Sequence, residues 1–269
     1  MEHMPGQFAC RSAQQPKNAG GPPDWKPVVI VVPCFNERDR LVLSTFDTFA
    51  EDHRQIGFVF VDDGSTDGTE DLFRDYGSEN LDAFRFLMLD RNRGKGAAVR
   101  IGMKEALGWS PTTVGFWDAD LSTPLEELSP MVNILEAKPD LHLVIASRVQ
   151  LLGRRMDRKA TRHYLGRVFA TGASLTLGMP VYDTQCGAKL FRVTPILRSV
   201  LEAEFLSRWI FDVELIGRFA ELMGTEDLSW IEEYPLWRWT DVGGSKLRPV
   251  DFFLAVWDLI RIWRAKKTP

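Results

Sequence analysis

The amino-acid sequence predicts an α/β fold in which a mostly parallel central sheet is flanked by helices. Short apolar runs that show no polar alternation indicate strands that are covered on both faces. A polar loop and a segment of helical periodicity follow these runs, and such alternation is typical of a doubly wound, Rossmann-like nucleotide-binding half. The runs that we interpret as strands span residues 28–32, 58–61, 84–89, 113–117 and 141–146.

Composition limits the classes of protein to which the chain can belong. Of its 269 residues, 45% are hydrophobic and 26% are charged, which is ordinary for a soluble globular protein with a substantial core. The formal net charge of −4 provides no general attraction to nucleic acid, so no nucleic-acid partner is expected. Three cysteines, an odd number without metal-ligand spacing, indicate reduced thiols in a cytoplasmic protein.

Three segments follow from the distribution of apolar residues. Residues 1–27 mix Pro, Gly, Gln, Ser and Asn, and they predict a disordered arm without a signal-peptide core. Residues 28–249 hold the α/β pattern and predict one domain. Residues 250–269 predict an amphipathic helix with a basic end, which is too short and too charged for a bilayer span of about 20 apolar residues. Core packing, a dimer interface and binding to a membrane surface are the alternatives for this helix.

Two carboxylates stand directly after the fourth strand, in the sequence VGFWDADLS. Because ligands of open parallel sheets bind beyond the carboxyl ends of the strands, Asp118 and Asp120 are candidate site residues. Hard oxygen ligands favour Mg²⁺ or Mn²⁺ that shares its coordination shell with the phosphates of a nucleotide. An isolated acid pair is also typical of a solvated helix start, so the neighbouring loops decide the interpretation. Thr123, Pro124 and Glu126 predict a helix that begins at once, with Thr123 as its N-cap.

Two further loops favour a nucleotide site. Asp62 and Asp63 end the second strand, where a ribose or a base edge can donate hydrogen bonds to them, and the segment 64–69 predicts a tight turn. The segment 90–98 opens a helix with Gly, Arg and Lys residues, among them Lys95, and backbone N–H groups at such a start bind anions. The loop lacks the spacing of a Walker A motif, and a solvated basic loop is the alternative.

The segment 148–167 is strongly basic. It holds seven Lys or Arg residues, including Arg148 and Arg162, against the single acid Asp157. Solvated helix faces normally mix charges of both signs, so this imbalance predicts an anionic partner, either a phosphate acceptor or the headgroups of a lipid surface. A basic surface loop without function is the alternative. The later loop 239–246 contains two glycines and is suited to closing over a ligand.

These motifs together resemble glycosyltransferase family 2 with its GT-A fold, over about residues 28–246. Within the family they are similar to the dolichyl-phosphate β-glucosyltransferases and their prokaryotic polyprenyl-phosphate counterparts. The DTQCG, KLF and GSKL segments favour this branch over the mannosyl-phosphate one. The segments that carry the resemblance are VVPCFNE, VDDGSTDGT, NRGKGAAVRIGM, DADLSTP, ASR, YDTQCGAKLFR, WIFDVEL and GSKL.

The resemblance implies inverting transfer of a glucosyl unit from UDP-glucose to a dolichyl or undecaprenyl phosphate. In such an enzyme three residues contact uridine, a lysine lies near the nucleotide, and two aspartates hold Mg²⁺ or Mn²⁺ with the diphosphate. These donor-side residues are, in that order, Pro33, Glu37 and Asp63, then Lys95, then Asp118 and Asp120. On the acceptor side Arg148 and Arg162 are expected to orient the prenyl phosphate as guanidinium forks.

The chain departs from the family pattern at two points. Eukaryotic members of the branch carry an amino-terminal transmembrane helix, whereas this chain has a polar arm, so membrane attachment is expected to be peripheral, on the cytoplasmic face. Processive polysaccharide synthases of the family carry a Gln-x-x-Arg-Trp motif. Here Phe205 replaces the Gln before Arg208 and Trp209, and polymer synthesis is not expected.

Other functions fit parts of the same pattern. A family 2 enzyme can use GDP-mannose or another UDP-hexose, or transfer to a hydroxyl group, for which Asp183 or Asp212 is the candidate general base. A haloacid-dehalogenase-type phosphatase carries a similar Asp-x-Asp signature, but on its first strand. A nucleotide-sugar-binding protein without turnover would bind UDP and release none from a donor. No feature of the sequence indicates an oligomeric state.

Overall fold

A computed structural model describes residues 11–12, 26–77, 82–157, 160–242 and 249–266. Residues 243–246 of the predicted closing loop, and most of the predicted arm, lie outside this part. The strands are β1 (Arg11–Ser12), β2 (Val28–Cys34), β3 (Ile56–Asp62), β4 (Phe84–Met88), β5 (Thr113–Trp117), β6 (Leu143–Ser147), β7 (Arg155–Asp157), β8 (Ala188–Arg192), β9 (Ile231–Pro235) and β10 (Arg238–Thr240). The α-helices are α1 (Leu43–Asp52), α2 (Thr69–Gly77), α3 (Lys95–Ala106), α4 (Leu128–Ala137), α5 (Ala160–Leu177), α6 (Pro195–Val200), α7 (Phe211–Met223) and α8 (Pro249–Lys266).

The central sheet has the strand order β1-β4-β3-β2-β5-β8-β6-β9. Strands β4, β3, β2 and β5 are parallel, and β9 is parallel to β6. Strand β8 runs antiparallel to both β5 and β6, and β1 runs antiparallel to β4. A separate parallel pair joins β7 to β10. The mostly parallel α/β fold is therefore confirmed, and the five predicted strands lie within two residues of their observed bounds.

The continuous apolar runs arise because the sheet is covered on both faces. Along β2, Val28, Ile30 and Val32 enter one buried cluster, whereas Val29 and Val31 enter the other. Helices α1, α2 and α4 contribute to the first cluster, and α3, α5, α6, α7 and α8 contribute to the second. Since successive side chains of a strand point to opposite faces, every position of such a strand must be apolar.

The start of the helix after the two aspartates differs from the prediction. Pro124 is extended, with ψ of 147°, and a 3₁₀ turn at Leu125–Glu127 precedes α4. Thr123 is not an N-cap, because it is buried and its hydroxyl lies 3.9 Å from Cys186 Sγ. The structurally important acid is Glu127 rather than Glu126. Its carboxylate accepts hydrogen bonds from the Tyr234 hydroxyl and from the N–H groups of residues 237 and 238, and so anchors β10.

The carboxyl-terminal helix α8 packs with one face on α5 and α7. On that face Leu259 and Ile262 are buried in the core. Its other positions include exposed apolar side chains, with Leu254, Trp257 and Trp263 each more than 40% exposed. None of the helices in the described ranges is long and apolar enough to cross a membrane.

We expect Gly115→Ala to lower the free energy of unfolding by about 2 kcal/mol, the usual cost of overpacking a core. A Cβ atom at this β5 position would meet the Lys189 carbonyl oxygen and lie 2.6 Å from Leu190 Cδ2, so β8 would be forced away. Gly108→Ala is the matched control, because its Cβ atom has no neighbour within 4 Å. The two variants are compared by urea denaturation that is monitored by circular dichroism. Equal stabilities would contradict the close approach of β5 and β8.

Candidate active site

Several polar segments meet at one edge of the sheet. Strands β2, β3, β5 and β6 run in the same direction, so their carboxyl ends face this edge, where open sheets bind ligands. Strand β8 runs the other way and places Ala188 opposite Trp117, the last residue of β5. The turn that precedes β8 therefore lies at the same edge. The acids after β3 and β5, the arginine after β6 and this turn form one surface.

Asp62 and Asp63 occupy the end of β3. Asp62 accepts hydrogen bonds from the Ser65 hydroxyl and from the Ser65 N–H at 3.0 Å, as in a side-chain-stabilised turn. Asp63 accepts from the N–H groups of Arg93 at 2.7 Å and Gly94 at 2.8 Å, which ties β3 to the start of α3. Burial raises the pKa of both carboxyls, and the hydrogen bonds oppose that rise. The uridine contact of Asp63 stays a prediction.

Pro33 and Glu37 lie in and after the end of β2. Pro33 pairs in register with Val61 of β3. Glu37 is buried, and its two carboxylate oxygens accept hydrogen bonds from Arg40 at 2.9 and 2.6 Å. The Glu37 N–H donates to the Thr69 hydroxyl at 3.0 Å, so this loop is fastened to the turn after β3. The two loops that are predicted to receive the nucleoside are thus adjacent.

The predicted diphosphate side joins α3 to β5 through an ion pair. Lys95, the first residue of α3, places Nζ 2.5 Å from Asp118 Oδ1. Burial acts to lower the pKa of Lys95, but the carboxylates of Asp118 and Asp212 outweigh it and raise the pKa above its ordinary value. The amino group is therefore charged at neutral pH. Asp120 Oδ1 accepts the Ser122 N–H at 3.0 Å, which orients the second acid.

The two aspartates provide oxygen atoms that fit a hard divalent cation. Within the described part of the chain, Asp118 Oδ2 and Asp120 Oδ2 accept no hydrogen bond. Among those same residues there is no cluster of three His, Cys, Asp or Glu side chains that would enclose a metal on its own. Such a pair suits an ion that completes its shell with water and the oxygens of a diphosphate.

Gly187 lies against Asp118 and leaves no room for a side chain. Its carbonyl oxygen accepts the Asp118 N–H at 2.9 Å, and a Cβ atom would clash with both Asp118 carboxylate oxygens. The preceding residue, Cys186, is fully buried, and burial raises the pKa of its thiol to about 11. The turn before β8 is thus packed directly under the first aspartate.

Arg148 and Asp183 form a fork on the other side of the turn. Arg148 Nε and Nη2 lie 2.7 and 2.8 Å from the two Asp183 oxygens, and the Arg148 N–H donates to Oδ2 at 3.0 Å. Burial acts to raise the pKa of Asp183, but the guanidinium outweighs it and lowers the pKa to about 2. A carboxylate of that pKa is a poor proton acceptor. The predicted contact of Arg148 with an acceptor phosphate stays a prediction, since one edge of its guanidinium faces Asp183.

Other members of the basic segment rest on aromatic rings. The Arg154 guanidinium lies 3.8 Å from the centroid of Trp237, and that of Arg167 lies 3.9 Å from the centroid of Tyr182. Cation–π contacts of this kind hold a guanidinium in place without removing its charge. Arg162 belongs to α5, but its side chain lies outside the described part. The role predicted for it stays a prediction.

The sequence did not indicate the roles of the buried Lys189 and the half-buried Glu233. Lys189 is fully buried and donates to Asp212 Oδ1 at 2.5 Å and to the Cys186 carbonyl oxygen at 2.8 Å. Glu233 accepts the N–H groups of Tyr182 at 2.8 Å and of residue 183 at 2.9 Å. A lysine inside an otherwise apolar strand is a local signal for a buried ion pair. No local signal marks Glu233, because its partners are 51 and 50 residues away.

Acidic strand ends beside a lysine at a helix start are typical of α/β proteins that bind a ligand at the carboxyl edge of the sheet. The sequence profile described as "Glycosyl transferase family 2" matches residues 29–198, more than half of the chain. The chain therefore belongs to glycosyltransferase family 2. The chain is therefore a glycosyltransferase and not a haloacid-dehalogenase-type phosphatase.

Similar proteins extend over most of the chain. A dolichyl-phosphate β-glucosyltransferase of Drosophila melanogaster is 32% identical over 253 residues, which cover 87% of this chain and 73% of the relative. The human protein of that name is 29% identical and covers 90% of this chain and 79% of the relative. A dodecaprenyl-phosphate galacturonate synthase of Rhizobium johnstonii is 30% identical over 73% of this chain and 57% of its own length.

Solved structures share the fold at low identity. Glucosyl-3-phosphoglycerate synthase from Mycobacterium tuberculosis, in complex with Mn²⁺, UDP and glucosyl-3-phosphoglycerate, has a TM-score of 0.62 and 19% identity. The match covers 90% of this chain and 80% of that protein. A mannosyltransferase from Pyrobaculum calidifontis, in complex with GDP-Man and Mn²⁺, has a TM-score of 0.53, 17% identity and coverage of 89% and 73%. These likenesses agree with the predicted GT-A fold.

We expect Asp183→Asn to lower the free energy of unfolding at pH 7 by about 3 kcal/mol, because the largely buried Arg148 is left without its counter-charge. The pKa of Asp183 is about 2 in the folded protein against an ordinary 3.8. Its contribution is therefore complete above about pH 4 and is lost as the pH falls towards 2. The difference in free energy of unfolding between wild type and variant, measured by urea denaturation at each pH, should become smaller over this range.

Glu226→Gln is the control for this measurement, since it neutralises an exposed carboxylate. We expect no change at pH 7. The coupling of Asp183 to Arg148 would be contradicted if the difference in free energy of unfolding between wild type and Asp183→Asn stayed constant from pH 7 to pH 3. An equal loss of unfolding free energy in the control would contradict it as well.

Proposed function

We propose that this glycosyltransferase moves a glucosyl unit from UDP-glucose to a polyprenyl phosphate, with inversion at the anomeric carbon. One observation carries the proposal. An acidic pair suited to a metal and a diphosphate lies at the same sheet edge as Arg148, and the turn before β8 lies between them. The similarity to dolichyl-phosphate β-glucosyltransferases over most of the chain supports the same donor and acceptor classes.

On the donor side the protein would bind the nucleotide and stabilise the leaving group. The loops that carry Pro33, Glu37, Asp62 and Asp63 would receive uridine and ribose. Asp118 and Asp120 would hold Mg²⁺ or Mn²⁺ together with the diphosphate oxygens, and such an ion offsets negative charge that develops on departing UDP. The charged amino group of Lys95, 2.5 Å from Asp118, would add a second positive charge beside the diphosphate. An enzyme of similar fold, whose structure was solved with Mn²⁺ and UDP, supports this assignment.

On the acceptor side, the ion pairs made by the two candidate general bases favour a phosphate acceptor over a hydroxyl acceptor. A phosphate monoester has a second pKa near 6 and is already an anionic nucleophile at neutral pH. A hydroxyl acceptor would need a general base. The two candidates for that role are engaged, because Asp183 is held by Arg148 with a pKa of about 2 and Asp212 is paired with Lys189.

The bond changes follow from this arrangement. A phosphate oxygen of the acceptor forms the bond to the anomeric carbon as the bond from that carbon to the UDP oxygen breaks. The electron pair leaves with UDP, and no proton needs to move. Arg148 and Arg162 would orient the acceptor phosphate, and the cation–π contacts of Arg154 and Arg167 keep two further guanidinium groups of the basic segment in place.

The outer face of α8 supports a peripheral position on a membrane, where a prenyl phosphate resides. Trp257 and Trp263 are 58% and 43% exposed, and α5, which packs on α8, adds the exposed Val168 and Leu175. Aromatic and aliphatic side chains beside a basic segment are typical of helices that lie in the lipid interface. We infer that this face contacts the cytoplasmic surface of a membrane.

We expect UDP release to require UDP-glucose, a prenyl phosphate and a divalent cation together. Asp120→Asn should lower kcat by at least about 100-fold, since charge stabilisation of the leaving group is lost. It should not lower the melting temperature, because removing one of two neighbouring carboxylates relieves repulsion. The measurement is UDP release with a panel of nucleotide sugars and acceptors, with and without EDTA.

Glu126→Gln is the matched control, since it neutralises an exposed carboxylate near the same loop. Its kcat should equal that of the wild type. Full activity in EDTA, or in Asp120→Asn, would remove the metal from the proposal. A preference for GDP-mannose or for a sugar hydroxyl would redirect the assignment of donor or acceptor.

We expect binding to vesicles that contain anionic lipid, and a decrease in that binding as salt rises, because each Lys or Arg near such a surface contributes about 1 kcal/mol. Trp257→Ala should weaken the binding by removing buried apolar area, whereas Leu222→Ala, an exposed position on α7, should not. Vesicle sedimentation at several salt concentrations measures both. If the protein does not bind anionic vesicles, a soluble acceptor is favoured instead.

A further inference from the structure

Lys189 and Asp212 form a buried ion pair that the proposed chemistry does not use. The side chain of Lys189 has no exposed surface and that of Asp212 is 5% exposed. Lysine and aspartate are almost never buried to this degree unless they are paired, because desolvation costs several kcal/mol for each charge. An apolar pair of the same volume would fill the space without that cost. The position of the pair at the candidate site gives a reason for its presence.

Strand geometry places the pair beneath the first aspartate. Lys189 stands opposite Phe116 in the β5–β8 ladder, and its amino group lies 5.1 Å from the centre of that ring. Residues two apart in an extended chain face the same side, so Phe116 and Asp118 share a face. Phe211, the neighbour of Asp212 on α7, packs on Phe116 at 5.6 Å. The pair therefore links β8 and α7 directly below Asp118.

The second hydrogen bond of Lys189 reaches the turn itself. Its amino group donates to the Cys186 carbonyl oxygen at 2.8 Å. Cys186 precedes Gly187, whose carbonyl accepts the Asp118 N–H and whose Cα faces the Asp118 carboxylate. A movement of the Cys186 carbonyl would therefore move the backbone on which Asp118 rests. Asp212 restrains Lys189 from the opposite side.

The same turn leads to the acceptor side. It begins at Asp183, which is locked to Arg148. Three residues separate Asp183 from Gly187, so a displacement at one end is transmitted to the other. The Asp212 charge also acts on Lys95, whose pKa it helps to raise. The ion pair is thus connected to the donor carboxylate, to the donor lysine and to the acceptor arginine.

We propose that Lys189 and Asp212 are positioning residues that hold the turn before β8 in register, so that the donor carboxylates and the acceptor arginine keep their separation. Neither side chain touches substrate, and Asp212 is not a general base. The inference rests on the proposed glycosyl transfer at this site. Its physical basis is that the ammonium group at this position donates to a carbonyl oxygen and a carboxylate at once, which no apolar side chain can do.

The test replaces the ion pair with an apolar pair, Lys189→Met together with Asp212→Leu. Buried ion pairs can be exchanged for apolar residues without loss of stability, so the double variant is expected to fold with a melting temperature near that of the wild type. Because small displacements of reacting groups are costly, kcat for transfer to a prenyl phosphate should fall about 10- to 100-fold. The dissociation constant of uridine, which lacks the diphosphate, should change less than about threefold, since the uridine loops are not attached to the pair.

Arg218→Met is the matched control. It removes a partly buried cation from an ion pair with Glu214 on the same helix, α7, away from the turn. Its kcat should equal that of the wild type even if its melting temperature falls. The positioning role is overturned if the double variant keeps the wild-type kcat. It is also overturned if Arg218→Met loses as much kcat as the double variant does.

A second variant covers the case in which the apolar pair does not fold. Gly187→Ala displaces the same turn from Asp118 without touching the ion pair, and it should also lower kcat while uridine binding is retained. Wild-type kcat in Gly187→Ala overturns the inference as well. A wild-type enzyme that releases no UDP with any acceptor contradicts the proposed function instead, so the two failures are distinguishable.

Discussion

The reversed direction of β8 is the constraint on which the candidate site depends. A parallel strand between β5 and β6 would place the segment before it at the opposite edge of the sheet. Because β8 is antiparallel to both neighbours, the turn 183–187 lies between the end of β5 and the end of β6. Asp118 and Arg148 therefore lie on either side of one short turn. The absence of a side chain at Gly187 lets the turn approach Asp118 closely enough for a backbone hydrogen bond.

Charge matching makes this crowded edge compatible with folding. Carboxylates that are buried together repel one another and resist ionisation unless cations lie between them. Here each of three acids has a basic partner from a different element, so α3, α7 and the end of β6 are held to the site by the same interactions that neutralise it. The three pairs are Asp118 with Lys95, Asp183 with Arg148 and Asp212 with Lys189.

The features that follow from local sequence were predictable, and those that follow from distant contacts were not. Apolar runs and the acids at their ends identified the strands of the nucleotide-binding half, because burial on both faces leaves a continuous pattern in the sequence. The direction of β8 leaves no such pattern. The cap at Thr123 was wrong because Cys186, 63 residues away, takes the side chain into the core. Likewise, no residue near Arg154 in the sequence indicates that its guanidinium group packs on the Trp237 ring.

The burial of Cys186 has a consequence for how the protein meets oxidants and alkylating reagents. Thiol chemistry proceeds through the thiolate, and a group with a pKa of about 11 supplies very little of it at neutral pH. Cys34 is buried as well. The Cys186 sulfur atom, which lies beside the ion pairs of the site, is therefore unreactive while the fold persists. It becomes reactive only when the turn opens, so its modification rate records the local opening of the site rather than its chemistry.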